Sequence, residues 1–600
     1  MTTIKRLTTL MGKNVNYYLW ATLCALISMS LSLSTPIIIG TTVDLIYGTP
    51  ADELPLAPVS YIVNNFLGGA ENILANLWLP LVIVMAAATI RAGVAYTSGL
   101  LNARASENVA KKLRDDIYDH LQKLPYDYHV KSKTGDLIQR CTSDIENIRN
   151  FLAGQIMEFI RTLIMSTIIF IIMINISPML TIASLVLIPV IFFSAFIFHY
   201  RMKEVFHQQD EMEGELFSTI QENLSGVRVV RAFGRSAYEM EKFEAKNSDF
   251  RDLARRFASI RAIFWGSSDF ICFLQMFLII FFGIHAVYNG TITLGTFMIF
   301  ISFVGNLVWP IRNLARVLAD MGRMGVSLDR LDEILHTPAE TETPGAITPA
   351  LTGDIVFKNV DFSYDSSPIL NGLSFTIRSG ETIAILGATG SGKSTIMHLL
   401  LRLYDYQTGS IQIGGQELKN IRKDHLRTKI GMVLQEPYLY SKTIYKNLQM
   451  AKNTVKDEEI TRATRTAKIH DTIEGFNKGY KTLLGERGVT LSGGQRQRVA
   501  IARTIIKDSE ILVFDDSLSA VDTDTDAQIR AALKDRNRDT TTIIISSRIS
   551  TIKEADRIFI MEEGQITDIG THHELVNRES LYKKIWDIQA SLEDEYKESV

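Results

Sequence analysis

The sequence predicts two domains of different fold class: an all-α domain with six transmembrane helices, followed by an α/β domain of the phosphate-loop type. Three observations lead to this prediction. Residues from about 17 to 310 contain long apolar runs separated by basic stretches. Residues from about 350 to 580 contain short β-branched strands between polar helices. A glycine-rich phosphate-binding motif directly follows one of these strands.

Length and composition require more than one domain and exclude some classes of function. Six hundred residues exceed the size of one ordinary domain. The hydrophobic fraction of 46% and the mean hydropathy of +0.10 are high for a soluble chain in which 22% of the residues are charged. The net charge of -3 predicts no nucleic-acid partner. The widely separated Cys24, Cys141 and Cys272 predict neither a disulfide framework nor a zinc site. The polar, basic N-terminus predicts that there is no cleaved signal peptide.

Three spans without lysine or arginine predict the membrane crossings. They lie between Lys13 and Arg91, between Arg161 and Arg201, and between Arg261 and Arg312. Each span is long enough for two helices of about 20 residues and has a polar break in its middle. One merged crossing over 162–200 would need an apolar helix of about 40 residues, which is twice the required length. The sequence therefore predicts helices at 17–45, 72–100, 147–175, 178–205, 258–288 and 293–316.

Basic stretches between these spans predict the orientation in the membrane. One stretch runs from Lys111 to Arg140 and the other from Arg228 to Arg256. By the positive-inside rule, we expect both stretches and both termini on the cytoplasmic side of the plasma membrane. The stretches are rich in helix-forming residues, so we expect them to continue the membrane helices; independent soluble segments are the alternative.

Two charged residues fall inside the predicted crossings. Asp269 lies in the fifth helix and Arg91 lies late in the second. A charge at such a depth is costly unless it faces protein or water. Asp269 could attract a cationic cargo, or it could line a hydrated cavity without selecting anything, and the sequence leaves both open. The phenylalanine- and methionine-rich helices five and six fit an adaptable apolar cavity and lipid-facing surface equally well.

The stretch "ETIAILGATGSGKST" (381–395) contains a phosphate-binding loop of the form G-x-x-x-x-G-K-[ST]. Glycines let backbone N–H groups approach the phosphates, and the following helix N-terminus adds positive potential. We expect Lys393 to reach the β- and γ-phosphates and Ser394 to bind Mg²⁺, with Asp515 at the end of "EILVFD" as the second magnesium partner. ATP and Mg²⁺ are therefore the predicted cofactors. The loop residues expected at the nucleotide are Gly387, Thr389, Gly390, Ser391, Gly392, Lys393, Ser394 and Thr395.

A second anion site is predicted in "LSGGQRQRVAIAR" (491–503). A serine and two glycines open an amphipathic helix there, and its free N–H groups and dipole attract negative charge. Two phosphate-binding surfaces of one domain cannot both hold one nucleotide, so we expect two domains that sandwich two nucleotides head to tail. With both motifs in one chain, the sequence resembles the ABC transporters. The matching signature residues, which would complete a partner's ATP site, are Ser492, Gly493, Gly494 and Gln495.

The resemblance covers nearly the whole chain and implies further roles. Tyr364 in "DFSY" resembles the aromatic residue that stacks on adenine, and Gln435 in "VLQEP" resembles the glutamine that senses Mg²⁺. "GERG" (485–488) looks like the exporter contact loop, and "SAVD" (519–522), with Asp522, resembles the D-loop. Segments near 126–146 and 213–235 resemble the cytoplasmic coupling regions of exporter half-transporters.

These matches imply domain boundaries. We expect a transmembrane domain over 1–325, a connection over 326–350 and an ABC nucleotide-binding domain over 351–582. A polar C-terminal tail is expected over 583–600.

Two residues of the same active site depart from the family pattern. Asp516 stands where the family has the glutamate that acts as a base or orients water, and its carboxylate is retracted by about 1.5 Å. General-base work needs heavy atoms within about 3 Å of the water. Ser547, in "IIISSRISTI", stands where the family has a histidine that contacts the γ-phosphate. We therefore expect a site that binds ATP and hydrolyses it slowly.

The intact signature beside the altered site implies a heterodimer. A second, different half-transporter with the usual glutamate and histidine would form the competent site together with this chain's signature. The resemblance then implies ATP-driven export of hydrophobic or amphipathic compounds, of the multidrug type, through the lipid bilayer by alternating access. A lipid or peptide exporter of the same architecture and a nucleotide-gated channel or sensor are the alternatives.

Overall fold

In the computed structural model, which describes residues 6, 9–54, 56–365, 367–452, 454–517, 521–536 and 540–599, the apolar half of the chain forms six long helices. This number confirms the prediction for the described residues. The helices are α1 (Thr9–Ile46), α2 (Trp78–Lys123), α3 (Thr134–Ile176), α4 (Pro178–Ser225), α5 (Ser236–Tyr288) and α6 (Leu294–His336). They belong to one compact unit, Met1–Lys123 with Ser132–Pro338, which we call the helical unit.

The helices are longer than a membrane crossing requires. Helix α5 has 53 residues, so at about 1.5 Å per residue it is about 80 Å long, more than twice the thickness of a hydrocarbon core. In the basic stretches, Lys111 and Arg251 lie on such extensions, whereas Lys131 and Arg228 lie on short helices between the long ones. Helix α6 continues to His336, so residues 326–336, which we assigned to the connection, are helical. The reason is an amphipathic pattern in which Leu328, Leu331 and Ile334 are all buried.

A close contact joins the first and last helices of this unit. A Cβ atom on Gly295 would lie 1.8 Å from the backbone oxygen of Gly40, so only glycine permits this approach. The buried carboxylate of Asp44 accepts hydrogen bonds from the Thr293 hydroxyl and the Gly295 N–H, both at 2.6 Å. Asp44 therefore binds polar groups at the start of α6, a role that the sequence did not indicate.

Asp269 on α5 forms an ion pair with Arg312 on α6. The distance from Asp269 Oδ1 to Arg312 Nη1 is 2.6 Å. The Arg312 guanidinium lies between the rings of Trp265 and Trp309, at 4.4 and 4.2 Å from their centroids. Its side chain is 3% exposed, whereas that of Asp269 is 52% exposed. Asp269 thus compensates a buried cation of its own chain, which neither sequence hypothesis included. Arg91, the other charge in the membrane span, donates to the hydroxyl of Ser32 at 3.0 Å.

The remainder of the chain forms an α/β unit, Leu124–Lys131 with Ala339–Val600. The strands in its described residues are β1 (Ile355–Tyr364), β2 (Ser367–Ile377), β3 (Thr382–Gly387), β4 (Thr408–Ile413), β5 (Gln416–Glu417), β6 (Ile430–Val433), β7 (Ile511–Asp515), β8 (Thr541–Ile545), β9 (Arg557–Glu562) and β10 (Gln565–Gly570). An antiparallel sheet has the order β2-β1-β4-β5, and a second sheet has the order β10-β9-β3-β8-β7-β6. In the second sheet all neighbours except β10 and β9 are parallel. The predicted fold class is therefore confirmed.

Helices cover this second sheet. Those used below are α7 (Lys393–Leu400), α8 (Gly493–Ile506), α9 (Thr523–Arg536), α10 (Ile549–Ile552) and α11 (Leu581–Ser599). Shorter helices span Tyr126–Lys131, Lys423–Lys429, Ile444–Gln449, Asp457–Thr466, His470–Glu474 and His572–Val576. Residues 583–599, which we expected to form a tail, are helical. Tyr582 is buried, and Ile585 and Trp586 pack against the same core, so one face of α11 belongs to the domain.

Candidate functional site

Four segments of the predicted site follow four neighbouring strands of the six-stranded sheet. The phosphate loop follows β3, Ser547 follows β8, Asp515 ends β7 and Gln435 follows β6. Because β3, β8, β7 and β6 are adjacent and parallel, their carboxyl ends meet at one edge of the sheet. Open α/β sheets bind ligands at this edge. Strand order therefore brings together residues that are far apart in the sequence.

The phosphate loop is tightly curved and closely packed. A Cβ atom on Gly387 would lie 2.3 Å from the Met561 carbonyl oxygen, and Gly392 has a φ of +101°. Neither position accepts a larger residue without a shift of the backbone. The Ser391 hydroxyl inside this curve is buried without a hydrogen-bond partner among the described residues. Such a cradle of backbone N–H groups with an unsatisfied polar atom fits a phosphate group.

Lys393 and Ser394 begin helix α7 at the edge of this cradle. The Lys393 ammonium donates to the carbonyl oxygens of Gly387 and Ala388, at 2.9 and 2.7 Å. Burial lowers the pKa of Lys393, and the charges of Asp515 and Asp516 oppose that shift. The Ser394 hydroxyl donates to Asp515 Oδ1 at 3.1 Å. A hydroxyl and a carboxylate at this distance fit the oxygen chemistry of Mg²⁺, so the donor set is suitable for Mg-ATP.

The two consecutive aspartates face different partners. Burial raises the pKa of Asp515, and burial together with the Asp515 charge raises the pKa of Asp516. Asp516 has a left-handed backbone with a φ of 42°. Its carboxylate accepts from Gln435 Nε2 and from the Ser546 hydroxyl, both at 3.5 Å. The structure thus brings Asp516 and Gln435 together, and the contacts to Gln435 and Ser546 are both long for hydrogen bonds.

Ser547 follows β8, the strand next to β7, which ends at Asp515. Asp515 pairs with Ile545 across β7 and β8, and the Asp516 N–H donates to the Ile545 carbonyl at 2.8 Å. Residue 547 therefore begins the loop two positions beyond this pair, and its side chain is exposed. The positive charge of Arg548 acts on Asp516 and opposes the rise in its pKa. Sequence reasoning missed Ser546 and Arg548, which flank residue 547.

Tyr364 stands at the end of β1 in an aromatic cluster. Its ring meets that of Tyr404 edge to face at 4.9 Å, and its hydroxyl lies 3.0 Å from His398 Nδ1. The ring of Tyr126, from the segment Leu124–Lys131, contacts the rings of His398 and Tyr404, each with a centroid distance of 5.7 Å. His398 and Tyr404 were missed in the sequence, although His398 follows Ser394 by one helical turn. Part of the predicted coupling region, 126–131, is thus packed within the α/β unit, and residues 132–146 belong to the helical unit.

The signature begins helix α8. Ser492 and Gln495 form a reciprocal capping box in which each side chain accepts from the other residue's backbone N–H, at 3.3 and 3.0 Å. Asp522 accepts from the Thr525 N–H at 2.9 Å, and this bond lowers the pKa of Asp522. Ser519 and Ala520 of the predicted D-loop lie outside the described residues.

Comparisons with known proteins agree with this architecture. Residues 18–311 match the family model of the ABC transporter transmembrane region, and residues 370–519 match that of the ABC transporter. YgaD of Bacillus subtilis (strain 168), named as a candidate multidrug export ATP-binding/permease protein, is 32% identical over 91% of this chain and 96% of its own length. The ATP-dependent lipid A-core flippase of Syntrophus aciditrophicus (strain SB) is 30% identical over 85% of each chain.

A solved structure of a bacterial Atm1-family ABC exporter with ATP bound has a TM-score of 0.79 and 25% identity. It covers 96% of this chain, and this chain covers 98% of it. The matched regions account for both the six apolar helices and the α/β unit. The chain belongs to the ABC transporter family, as an exporter-type half-transporter in which a membrane domain precedes the domain for ATP-driven transport.

Proposed function

We propose that this chain is the degenerate half of a heterodimeric exporter of hydrophobic or amphipathic compounds. Its own site binds Mg-ATP through the phosphate loop, Tyr364, Gln435 and Asp515, and hydrolyses it slowly. Its signature, Ser492–Gln495, completes the site of a different half-transporter that carries the glutamate and the histidine. ATP binding closes the two nucleotide domains, and hydrolysis at the competent site resets the helices.

The observation that carries the proposal is the pair of replacements at Asp516 and Ser547. Both residues follow neighbouring strands at the edge where the phosphate loop lies. A misplacement of about 1 Å can cost a hundredfold in rate, and the shorter Asp516 side chain retracts its carboxylate by about that much or more. A serine at 547 cannot carry the charge of a histidine and is too short to replace its contact.

The residues that bind nucleotide keep their roles in this proposal. Ser394 and Asp515 already lie 3.1 Å apart, in reach of one metal ion. The capping box at Ser492 leaves the N–H groups of the following glycines at the helix start available for a phosphate. An intact signature is useful only if the site that it completes hydrolyses ATP, which favours a transporter over a channel or sensor.

The remaining parts of the proposal concern cargo and orientation. Basic residues on the extensions of the membrane helices support a cytoplasmic α/β unit by the positive-inside rule. Relatives named for multidrug export and for lipid A-core flipping both point to cargo with a large apolar part. We place the coupling regions near 126–146 and 213–235 and the domain boundary near residue 350.

The experiment measures ATP hydrolysis by the purified full chain in lipid nanodiscs. The single chain is expected to bind Mg-ATP and to hydrolyse it at least a hundredfold more slowly than a typical enzyme rate of about 10 per second. Asp516→Glu with Ser547→His is expected to raise that rate about a hundredfold or more. Lys393→Ala in the same background is the control and should abolish the gain. Turnover near 10 per second by the unaltered single chain would refute the degenerate site.

A further inference from the structure

The C-terminal helix contacts the loop that carries Ser547. On α11, Gln589 Nε2 donates to the Ser547 carbonyl oxygen at 2.9 Å. Gln589 Oε1 accepts from the Ile549 N–H, also at 2.9 Å. One side chain, 40 residues away in the sequence, therefore holds the loop on both sides of Arg548. We call these two hydrogen bonds of Gln589 the clamp.

This contact replaces a cap that helix α10 lacks. The first N–H groups of a helix have no partner within it and are usually bound by the side chain of the preceding residue. Arg548 occupies that position and makes no side-chain cap hydrogen bond. Gln589 supplies the acceptor for the buried Ile549 instead. Both bonds go to the backbone, so they hold residue 547 whatever its side chain is.

Packing of helix α11 against the domain fixes the position from which Gln589 reaches the loop. Tyr582 is buried with its hydroxyl 2.6 Å from His572 Nδ1, and Trp586 packs against the domain core. Gln589 follows Tyr582 by seven residues and Trp586 by three, so it extends the same inner face of the helix. The neighbouring Ile588 is 60% exposed and points away from that face.

Hydrogen bonds to helix α9 also fix the C-terminal part of helix α10. The Thr551 hydroxyl donates to Asp526 Oδ2 at 2.9 Å, and Arg530 Nε donates to Asp526 Oδ1 at 3.1 Å. Asp526 and Arg530 lie on α9, which follows the D-loop. The loop after β8 is thus fixed between two helices, and Gln589 provides the contact closest to residue 547.

We propose that Gln589 is a positioning residue of the nucleotide site, which sets the place of residue 547 and links α11 to the γ-phosphate. The role of the γ-phosphate rests on the proposed function, whereas the clamp itself does not. Ordinary packing of α11 against the domain would stabilise the fold without distinguishing ATP from ADP. The proposal predicts that loss of both hydrogen bonds changes the response to the γ-phosphate alone.

The first experiment tests the clamp in the full chain. Gln589→Met keeps the volume of the side chain and removes both hydrogen bonds, and Ile588→Met is the matched control on the exposed face. Without nucleotide, Gln589→Met is expected to speed hydrogen exchange of the peptide over 549–552 at least fivefold, as expected for one lost hydrogen bond. The control should exchange like the unaltered chain. Unchanged exchange in Gln589→Met would overturn the proposal.

The second experiment tests the link to the γ-phosphate. Ser547→His serves as a reporter, because a histidine at this position is expected to raise the preference for Mg-ATP over Mg-ADP. Adding Gln589→Met should remove most of that gain and leave ADP affinity within twofold. A full gain in the double variant would overturn the role of Gln589. If Ser547→His gains nothing while the exchange result holds, the clamp stands and the γ-phosphate assignment in the proposed function is wrong.

Discussion

The ion pair between Asp269 and Arg312 predicts a defect in folding, rather than in cargo selection, when Asp269 is neutralised. Asp269→Asn removes the only carboxylate that contacts Arg312 among the described residues of the helical unit. The Nε and Nη2 atoms of Arg312 are buried and make no hydrogen bond within that part of the chain. The substitution therefore leaves a buried guanidinium with its charge uncompensated.

The expected cost follows from burial. Removing one partner of a fully buried ion pair costs about 3–5 kcal/mol. Here Asp269 is half exposed, and the Trp265 and Trp309 rings still contribute about 0.5–1 kcal/mol each. We therefore expect a loss of about 2 kcal/mol, which corresponds to a fall of about 3 °C in the melting temperature of a unit of this size.

The assay is thermal unfolding of the full chain in nanodiscs. Asp269→Asn is compared with Arg312→Gln and with the double variant, which leaves no buried charge without a partner because both charged groups are removed. The double variant should lose less stability than Asp269→Asn alone, because the two sites are coupled. Asp252→Asn, an exposed aspartate on the extension of α5, is the control. A melting temperature unchanged within 1 °C in Asp269→Asn, together with selective loss of cationic cargo, would refute this reasoning and restore the cargo hypothesis.

Two further predictions concern the α/β unit. Tyr364→Ala should weaken ATP binding about tenfold or more, since stacking of a base on an aromatic ring is worth about 1–3 kcal/mol. Tyr364→Phe keeps the ring and loses the hydroxyl contacts to His398 and Thr395. It should bind within twofold in a titration with a fluorescent ATP analogue, and equal losses in the two variants would contradict the stacking role. Burial lowers the pKa of Lys507 from 10.5 to about 8. Between pH 8 and 10.5 the unfolded chain therefore binds more protons than the folded chain, so the free energy of unfolding rises with pH. Below pH 8 the destabilisation from the buried, charged Lys507 is fully present. Lys507→Met should flatten this rise in melting temperature between pH 7.5 and 9.5, and an equal rise in both proteins would show that Lys507 is not its source.

Much of the fold could be read from local patterns. Six apolar helices and the strand before the phosphate loop follow from charge-free spans, hydrophobic periodicity and a motif whose glycines have a steric reason. Two segments at the predicted domain boundaries are helical. Residues 326–336 and 583–599 look like a connection and a tail because they are rich in polar residues. In the structure Leu328, Leu331 and Ile334 are buried, and Ile585 and Trp586 pack against the core of the α/β unit. Polarity alone does not distinguish an amphipathic helix from a loop.

The sequence by itself determined where the candidate nucleotide site lies, because the phosphate loop, the signature, Asp516 and Ser547 each lie in a short motif. Only the tertiary structure decided which distant residues lie next to that site. Strand order placed Ser547 beside Asp516, packing placed His398 against Tyr364, and the last helix placed Gln589 on the loop after β8. These contacts join residues that are far apart in the chain or carry no motif, and they depend on how strands and helices pack, which local sequence patterns do not encode.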